Sequence, residues 1–443
     1  MTREEILNIL LRWNPWRKVE KRKTIDRDQL KKIKILKDYR GVIVIKGPRR
    51  SGKSTLLYQL IEDFSKQRDS RSILYVNFED YSFSAENLRA EVLETIVEVY
   101  RQEIYQDNDF LLFLDEIQNV EGWSNWVRTA IDADIVKTIF VTGSSSKILS
   151  GELASLLTGR HVDFELLPFS FREYLKARRY NPKDRIELMS KKNMYLNILK
   201  DYIIFGGFPE VVLNIGNEFL INKILSQYAE DMILKDVVAR YNIVNLKLLK
   251  SIAKYLAQNI GNRVTIRKIQ RNFEDTFEKK SSTTTISNYI SYLEMAYIFF
   301  EVHNFDYSIK KTVKSPLKYY IVDPGLRNAM FPSFTPDRGK LLENAVYLKL
   351  RNIYEEVFYW MGKNEIDFVC KKGDKFDLYN VSYVSRHEEI DQRELKGLVE
   401  FPYDHVDRRY LITWDLSGQL SYDGVNITSI PAYIFLAEEK ERV

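Results

Sequence analysis

Gly41-Val42-Ile43-Val44-Ile45 leads into Gly47-Pro48-Arg49-Arg50-Ser51-Gly52-Lys53-Ser54, and Thr55-Leu56-Leu57 opens the apolar-periodic stretch behind it. The middle segment fits G-x-x-x-x-G-K-[ST], the Walker A pattern, at every fixed position. A β-rich run before it and a helical period after it are the context such a loop needs. Gly47 and Gly52 let the backbone curl so that successive N–H groups aim at phosphates, and the following helix adds the positive end of its dipole. Lys53 would reach the β- and γ-phosphates as a point charge, and the Ser54 hydroxyl would ligate Mg²⁺. Residues Gly47 through Thr55 are therefore the expected ATP-binding set.

A second apolar run, Phe110-Leu111-Leu112-Phe113-Leu114, ends in Asp115-Glu116. At the end of a buried strand in a P-loop enzyme, an Asp holds the Mg²⁺ shell, so Asp115 is the expected Walker B metal residue. A carboxylate directly after it can take a proton from the attacking water. Glu116 is thus the expected base, and it moves the reading from nucleotide binding to hydrolysis. Thr138–Thr142 is a further apolar run that opens into Gly143-Ser144-Ser145-Ser146. Ser144 is a candidate sensor of the γ-phosphate, or else part of an ordinary Ser/Gly loop. Arg160 is a candidate arginine finger, for its own chain or a neighbour's, or else half of a surface salt bridge. Asp80 follows a strand-like run, where ligands bind in open α/β sheets, and has no assigned role.

The short runs Val42–Ile45, Ile73–Asn77, Phe110–Leu114 and Thr138–Thr142 alternate with the helical patterns Thr55–Phe64, Ala85–Tyr100 and Trp123–Ala133. Such alternation predicts βα units on a parallel sheet. From Pro168 the pattern turns helical, punctuated by Gly206-Gly207-Phe208-Pro209, and predicts a lid packed on the core. Leu246 to Asp323 reads as three helices and then two strands, Tyr297–Val302 and Leu317–Val322, joined by a basic loop, the pattern of a winged helix. The expected fold is α/β throughout, in four domains: 1–165, a P-loop core; 166–245, the helical lid; 246–325, the winged helix; 326–443, a mixed α/β tail.

The 443 residues are 45% hydrophobic and 29% charged, as in soluble globular chains. A net charge of +5 permits a nucleic-acid partner without demanding one. The excess is local: Arg17, Lys18, Lys21, Arg22, Lys23, Arg27, Lys31, Lys32, Lys34 and Lys37 face few acids, as a solvated helix face or a phosphate-contacting arm. Cys370 is the only cysteine and the four histidines lack metal-ligand spacing, which excludes disulfide frameworks and Cys/His zinc sites within the chain. The apolar stretch in Met1–Trp13 is too short for a signal core or a membrane span and reads as an amphipathic helix on the body. A reducing, cytoplasmic setting without membrane contact is expected.

Several motifs coincide: Gly47–Thr55, Asp115-Glu116-Ile117-Gln118, Thr142–Ser146, Gly159-Arg160, Pro168-Phe169-Ser170-Phe171-Arg172-Glu173-Tyr174 and Gly206-Gly207-Phe208-Pro209-Glu210. Together they resemble the AAA-type ATPases of archaea and bacteria that carry a C-terminal domain of unknown function, itself similar to the PD-(D/E)XK nuclease fold. The resemblance covers nearly the whole chain. It implies an ATPase core, a helical lid, a winged helix and a nuclease-like tail. In the nuclease pattern Glu343 resembles the helix Glu and Asp367 the strand Asp. The third element departs from the pattern, reading Asn380 and Ser382 where Glu and Lys belong. Asn is at best a neutral metal ligand, and Ser supplies no cation for the phosphate charge, so the tail is expected to be catalytically silent.

In the winged helix, Ser282–Tyr289 would start a recognition helix, and Lys310, Lys311, Lys314 and Lys318 on the wing, with Arg263, Arg267, Lys268 and Arg271, suit a DNA backbone. The expected function is Mg-dependent ATP hydrolysis that controls a grip on double-stranded DNA or a protein partner, with oligomerisation left open. An ATP-dependent nuclease and a slow ATP switch without a DNA role are the alternatives.

Overall fold

The apolar runs become β1 (Gly41–Lys46), β2 (Ile73–Asn77), β3 (Leu111–Asp115) and β4 (Thr138–Gly143), joined by β5 (His161–Glu165) in one parallel sheet of order β2-β3-β4-β1-β5. The structure, a computed structural model, describes residues 1–14, 16, 24–83, 88–144, 159–274, 282–332 and 337–439. Helices cover both faces of the sheet, which is why its strands read as unbroken apolar runs. Ile43 and Ile45 turn to one face, with Leu56, Leu57 and Leu60 of the helix Lys53–Phe64. Val42 and Val44 turn to the other, with Ile96 of Glu91–Glu103 and Val127 of Trp123–Asp132. β5 is not among the expected strands. Its sequence, His-Val-Asp-Phe-Glu, is half-buried along its whole length and lies at the end of the sheet, so no apolar run marks it.

The first helix, Arg3–Trp13, docks as its amphipathic pattern implies. A capping box between Thr2 and Glu5 starts it, and Ile6, Ile9 and Leu10 are buried. Asp80 is spent here: its carboxylate accepts from Arg12 at 2.9 Å and from the Trp13 indole at 2.5 Å. Beyond the helix, the Asn14 side chain pairs with both backbone groups of Tyr75 on β2, accepting from its N–H at 2.7 Å and donating to its carbonyl at 2.9 Å. The Trp16 indole donates to the Ile73 carbonyl at 2.8 Å.

Two compact units divide at Leu167/Pro168. The helices Phe171–Ala177, Lys192–Phe205 and Glu218–Asp231 belong to the second unit, where the latter two pack on the helix Pro324–Met330. Apolar side chains of these helices, such as Phe171 against Tyr202, are buried within this unit. Gly207 donates its N–H to Asp323 at 2.6 Å, and a Cβ on Gly206 would lie 1.9 Å from the same carboxylate. Burial pushes the Asp323 carboxyl up to about 6 against the pull of the N–H groups of Gly207, Leu326 and Gly325.

The helices Leu246–Gln258, Ile266–Glu274 and Thr283–Met295 accompany an antiparallel sheet of β6 (Arg263–Val264), β7 (Phe299–Val302) and β8 (Leu317–Ile321) in the order β6-β8-β7. The basic connection between β7 and β8 is not a plain loop, because Ile309–Lys314 forms a short helix within it. The tail is a mixed sheet of β9 (Glu356–Met361), β10 (Glu365–Lys372), β11 (Lys375–Ser382), β12 (Val406–Thr413), β13 (Gly418–Tyr422) and β14 (Val425–Pro431), ordered β13-β14-β12-β11-β10-β9. The helices Arg338–Ile353 and Gln392–Glu400 pack on it. Among the described residues no helix is long and apolar enough to cross a membrane.

Candidate nucleotide site and the C-terminal carboxylate cluster

β4 runs between β1 and β3, so the strand feeding the phosphate loop and the strand ending in Asp115 are two strand spacings apart, about 10 Å. That gap lies at the carboxyl ends of the strands, where open α/β sheets bind ligands. The loop keeps its curl by backbone conformations that favour glycine. Gly52 has φ 97°, and Arg50, at φ 68°, shares the left-handed region. A Cβ on Gly47 would stand 2.2 Å from the Leu166 carbonyl oxygen. Arg27 holds the loop from behind. Its guanidinium is buried and donates to the carbonyls of Ser51 at 2.7 Å and Leu167 at 2.6 Å. Composition alone places Arg27 in a solvated basic run, and no sequence signal separates it from its neighbours. Arg17, Lys18 and Lys21–Lys23 of that run lie outside the described residues.

The expected residues converge. Lys53 is buried, donating to the carbonyls of Gly47 at 3.2 Å and Pro48 at 3.1 Å, and its Nζ lies 3.3 Å from Glu116 Oε1. Asp115 is buried and accepts from Thr142 at 2.5 Å and from Tyr75 at 2.7 Å. Burial raises the Asp115 carboxyl above its ordinary range, and the neighbouring Glu116 charge adds to this against the pull of the Thr142, Ser54 and Tyr75 hydroxyls. Burial acts on Glu116 the same way, but the Lys53 charge, with help from Gln118 and Arg49, brings it below the carboxylate range. Glu116 is therefore ionised in an enclosed site. Its backbone is left-handed, φ 54°, and its N–H donates to Thr142 Oγ at 2.9 Å.

Ser144 is buried and joins the same cluster through Gln118, which donates to both Glu116 Oε2 and Ser144 Oγ, the latter at 3.4 Å. Ser145 and Ser146 lie outside the described residues. Arg49 is half-buried and pairs with Glu79 at 2.8 Å, while Arg50 and Thr55 are exposed. Arg160 is corrected for the role within its own chain. Its carbonyl accepts from Val42, so it sits beside the start of β1, and its side chain pairs with Asp132. From there the loop lies a whole strand away, about 17 Å at about 3.3 Å per residue, beyond an arginine's reach.

The C-terminal cluster contradicts one expectation about the wing. Lys318 is not a surface cation for DNA. It is fully buried on β8, with Nζ 2.6 Å from Glu365, 3.1 Å from Asp367 and 3.4 Å from Glu343. Burial works to deprotonate it, but Tyr320 and the three carboxylates hold its pKa well above the lysine range. Glu343 also accepts from Lys340 and Tyr320, each at 2.7 Å; against burial, the charges of Lys318 and Lys340, helped by these bonds, lower its pKa, whereas burial and the Glu343 charge raise Asp367. Asn380 is fully buried and spent on backbone: it accepts from the Asp367 N–H at 2.8 Å and donates to the Glu394 carbonyl at 2.7 Å. Among the described residues no group of three or more His, Cys, Asp or Glu is arranged to hold a metal ion. An ammonium occupies the centre of the carboxylates instead.

A family model described as an AAA domain matches residues 39–175, and a second, of unknown function, matches 196–337. An uncharacterized protein of Methanocaldococcus jannaschii is 36% identical over 408 residues, spanning 90% of this chain and 87% of the relative. An uncharacterized protein of Haemophilus influenzae is 33% identical over 401 residues, spanning 88% and 93%. Among solved structures, the Walker-type ATPase of Pyrococcus abyssi matches with a TM-score of 0.47 at 16% identity, over 69% of this chain and 96% of that one. The ORC1 protein of Aeropyrum pernix, solved in complex with DNA, matches with a TM-score of 0.33 at 13% identity, over 74% and 96%.

Proposed function

We propose, since this chain belongs to the AAA-type P-loop ATPase family shared with its archaeal and bacterial relatives, that it binds ATP with Mg²⁺ and hydrolyses it. The observation that carries the reading is the Lys53–Glu116 contact of 3.3 Å beside the buried Asp115 carboxylate, held by Thr142 and Tyr75. Four groups of the expected chemistry stand together at the carboxyl ends of β1 and β3. Ser54 and Asp115 would hold Mg²⁺, which when bound neutralises charge on the β- and γ-phosphate oxygens.

The triphosphate draws Lys53 away from the loop carbonyls and from Glu116, because several phosphate charges outweigh one carboxylate. That exchange frees Glu116 as a base. A water oxygen attacks the γ-phosphorus, the bond from phosphorus to the β–γ bridging oxygen breaks, the water proton passes to Glu116, and ADP and phosphate leave. The test is phosphate release by Glu116→Gln. Turnover should fall by about 10²–10³-fold with ATP still bound; turnover at the wild-type rate would refute the base.

For the output we propose an ATP-controlled grip on double-stranded DNA. The helix and strand order of residues 246–321 supports a winged helix. On it Thr283, Thr284 and Asn288 are exposed at the start of the third helix, with Arg267, Lys268 and Arg271 on the second and Lys310, Lys311 and Lys314 on the wing. Neutralising the three wing lysines should lower duplex affinity and flatten its salt dependence by about three in slope; an unchanged slope would redirect the reading to a protein partner. The tail is a silent nuclease-like domain, because Lys318 fills the place between Glu343 and Asp367.

A further inference from the structure

The DEIQ segment contains a group that the hydrolytic reading leaves unused. Gln118 lies on the turn Ile117–Asn119, directly after the left-handed Glu116. That φ of 54° reverses the chain so that the Gln118 amide folds back onto the carboxylate two residues before it. Its Nε2 donates to Glu116 Oε2 and lies 3.4 Å from Ser144 Oγ. Its Oε1 is buried and has no hydrogen-bond partner among the described residues. A buried amide oxygen left in this state is costly unless the working site supplies a donor. The two oxygens of Glu116 are thus divided: Oε1 faces Lys53, and Oε2 faces Gln118.

We infer that Gln118 is the positioning residue of the hydrolytic step. The inference rests on the proposal that Glu116 is the base. When the triphosphate takes Lys53, Glu116 loses the partner on Oε1 and keeps the one on Oε2. The carboxylate therefore stays aimed while one oxygen becomes free to accept the water proton. Gln118 Oε1 accepts a hydrogen bond from that same water, whose second hydrogen it fixes, so the lone pair turns toward the γ-phosphorus. Ser144, on the loop leaving β4, shares the amide donor, which ties the aim of the base to the strand lying between the loop and the carboxylates. No proton or electron rests on Gln118. It orients two groups that react with each other.

The experiment compares Gln118→Met, Gln118→Glu, Glu116→Gln and the double variant Glu116→Gln/Gln118→Met. Steady-state phosphate release, affinity for a fluorescent ATP analogue and ATP-dependent thermal stabilisation are measured for each. Gln118→Met keeps the volume and removes both hydrogen-bonding atoms; Gln118→Glu keeps the shape and removes the donor. Both should lose about 10–100-fold in kcat, with KM and analogue affinity within about twofold of wild type. The double variant should be no slower than Glu116→Gln alone, because the aim of an absent base has no further value. Retained stabilisation by ATP shows that the variants fold and bind. Wild-type kcat in Gln118→Met, a loss of affinity that matches the loss of kcat, or losses that multiply in the double variant would each overturn the inference. Were Glu116→Gln to turn over normally, the base reading would fall, and this inference with it. A dead Glu116→Gln beside a fully active Gln118→Met would overturn the inference alone.

Discussion

In the N-terminal unit Lys53 meets one carboxylate oxygen at 3.3 Å and two loop carbonyls. In the second unit Lys318 meets three carboxylates between 2.6 and 3.4 Å. Both ammonium groups are buried, and both lower the pKa of a buried glutamate, Glu116 for Lys53 and Glu343 for Lys318. They differ in how easily a ligand could replace the partners. The partners of Lys53 are few and weak, so a more anionic ligand would displace them. Lys318 is walled in by three carboxylates at once, two of which also meet a second cation, Glu343 through Lys340 and Glu365 through Arg263. Chemistry that needs a lysine to change partners can occur at the first site; the second works as a permanent clasp between β8, β10 and the helix Arg338–Ile353.

The comparison can be broken at either end. Lys53→Ala should show the largest effect, a loss of about 10³-fold or more in phosphate release, or about 4 kcal/mol in the barrier. A variant keeping a tenth of the rate would mean that Lys53 is not an exchanged group. Lys318→Met should cost about 3–5 kcal/mol in urea unfolding of the second unit, because the buried Glu343 and the half-buried Glu365 and Asp367 lose the cation they share. ATP-analogue affinity should not change; a neutral result would undo the clasp. Asn380→Ala should cost about 1–3 kcal/mol by stranding the Asp367 N–H and the Glu394 carbonyl, and equal stability would deny the backbone role assigned to it.

The smallest effect concerns pH. In the wild type Glu343 is held below its ordinary range, so its stabilisation is present above about 4.5 and is lost as pH falls through the lowered value. Without Lys318 the clustered carboxylates repel one another and their folded pKa values rise above the unfolded ones. Stability of Lys318→Met is then greatest in acid and declines as pH rises. The gap between the two proteins should widen from pH 5 to pH 7 by about 1–2 kcal/mol in urea titrations. A gap independent of pH would show that lost packing, not lost charge, sets the penalty.

These two lysines also mark where sequence was legible. Lys53 follows a fixed spacing from two glycines, and the strand runs around it are apolar because helices cover both faces. Motif and context therefore located β1 to β4 and brought Ser54, Asp115 and Glu116 to one place. Lys318 follows Lys310, Lys311 and Lys314 and reads as one more wing cation. Its partners lie 25 to 49 residues further along, on the helix Arg338–Ile353 and on β10, and only the packing of these elements around β8 brings them together. Arg27 was hidden among basic neighbours in the same way. β5 escaped because a half-buried end strand alternates and carries acids. Gln118 stood in plain view within a recognised motif, yet its use depends on the left-handed turn at Glu116, which nothing in the letters Asp-Glu-Ile-Gln announces.

One feature outside both sites bears on solubility. β2 ends the described order of the parallel sheet, and a bare strand there would offer its backbone as a template for another chain. Asn14 imitates a neighbouring strand at Tyr75, and Trp16 occupies the Ile73 carbonyl two residues before it. The N-terminal segment therefore works as a selvedge that finishes the fabric of the sheet. A protein trimmed before residue 24 should fray along that border and scatter light on concentration, even with Lys53, Ser54, Asp115 and Glu116 intact.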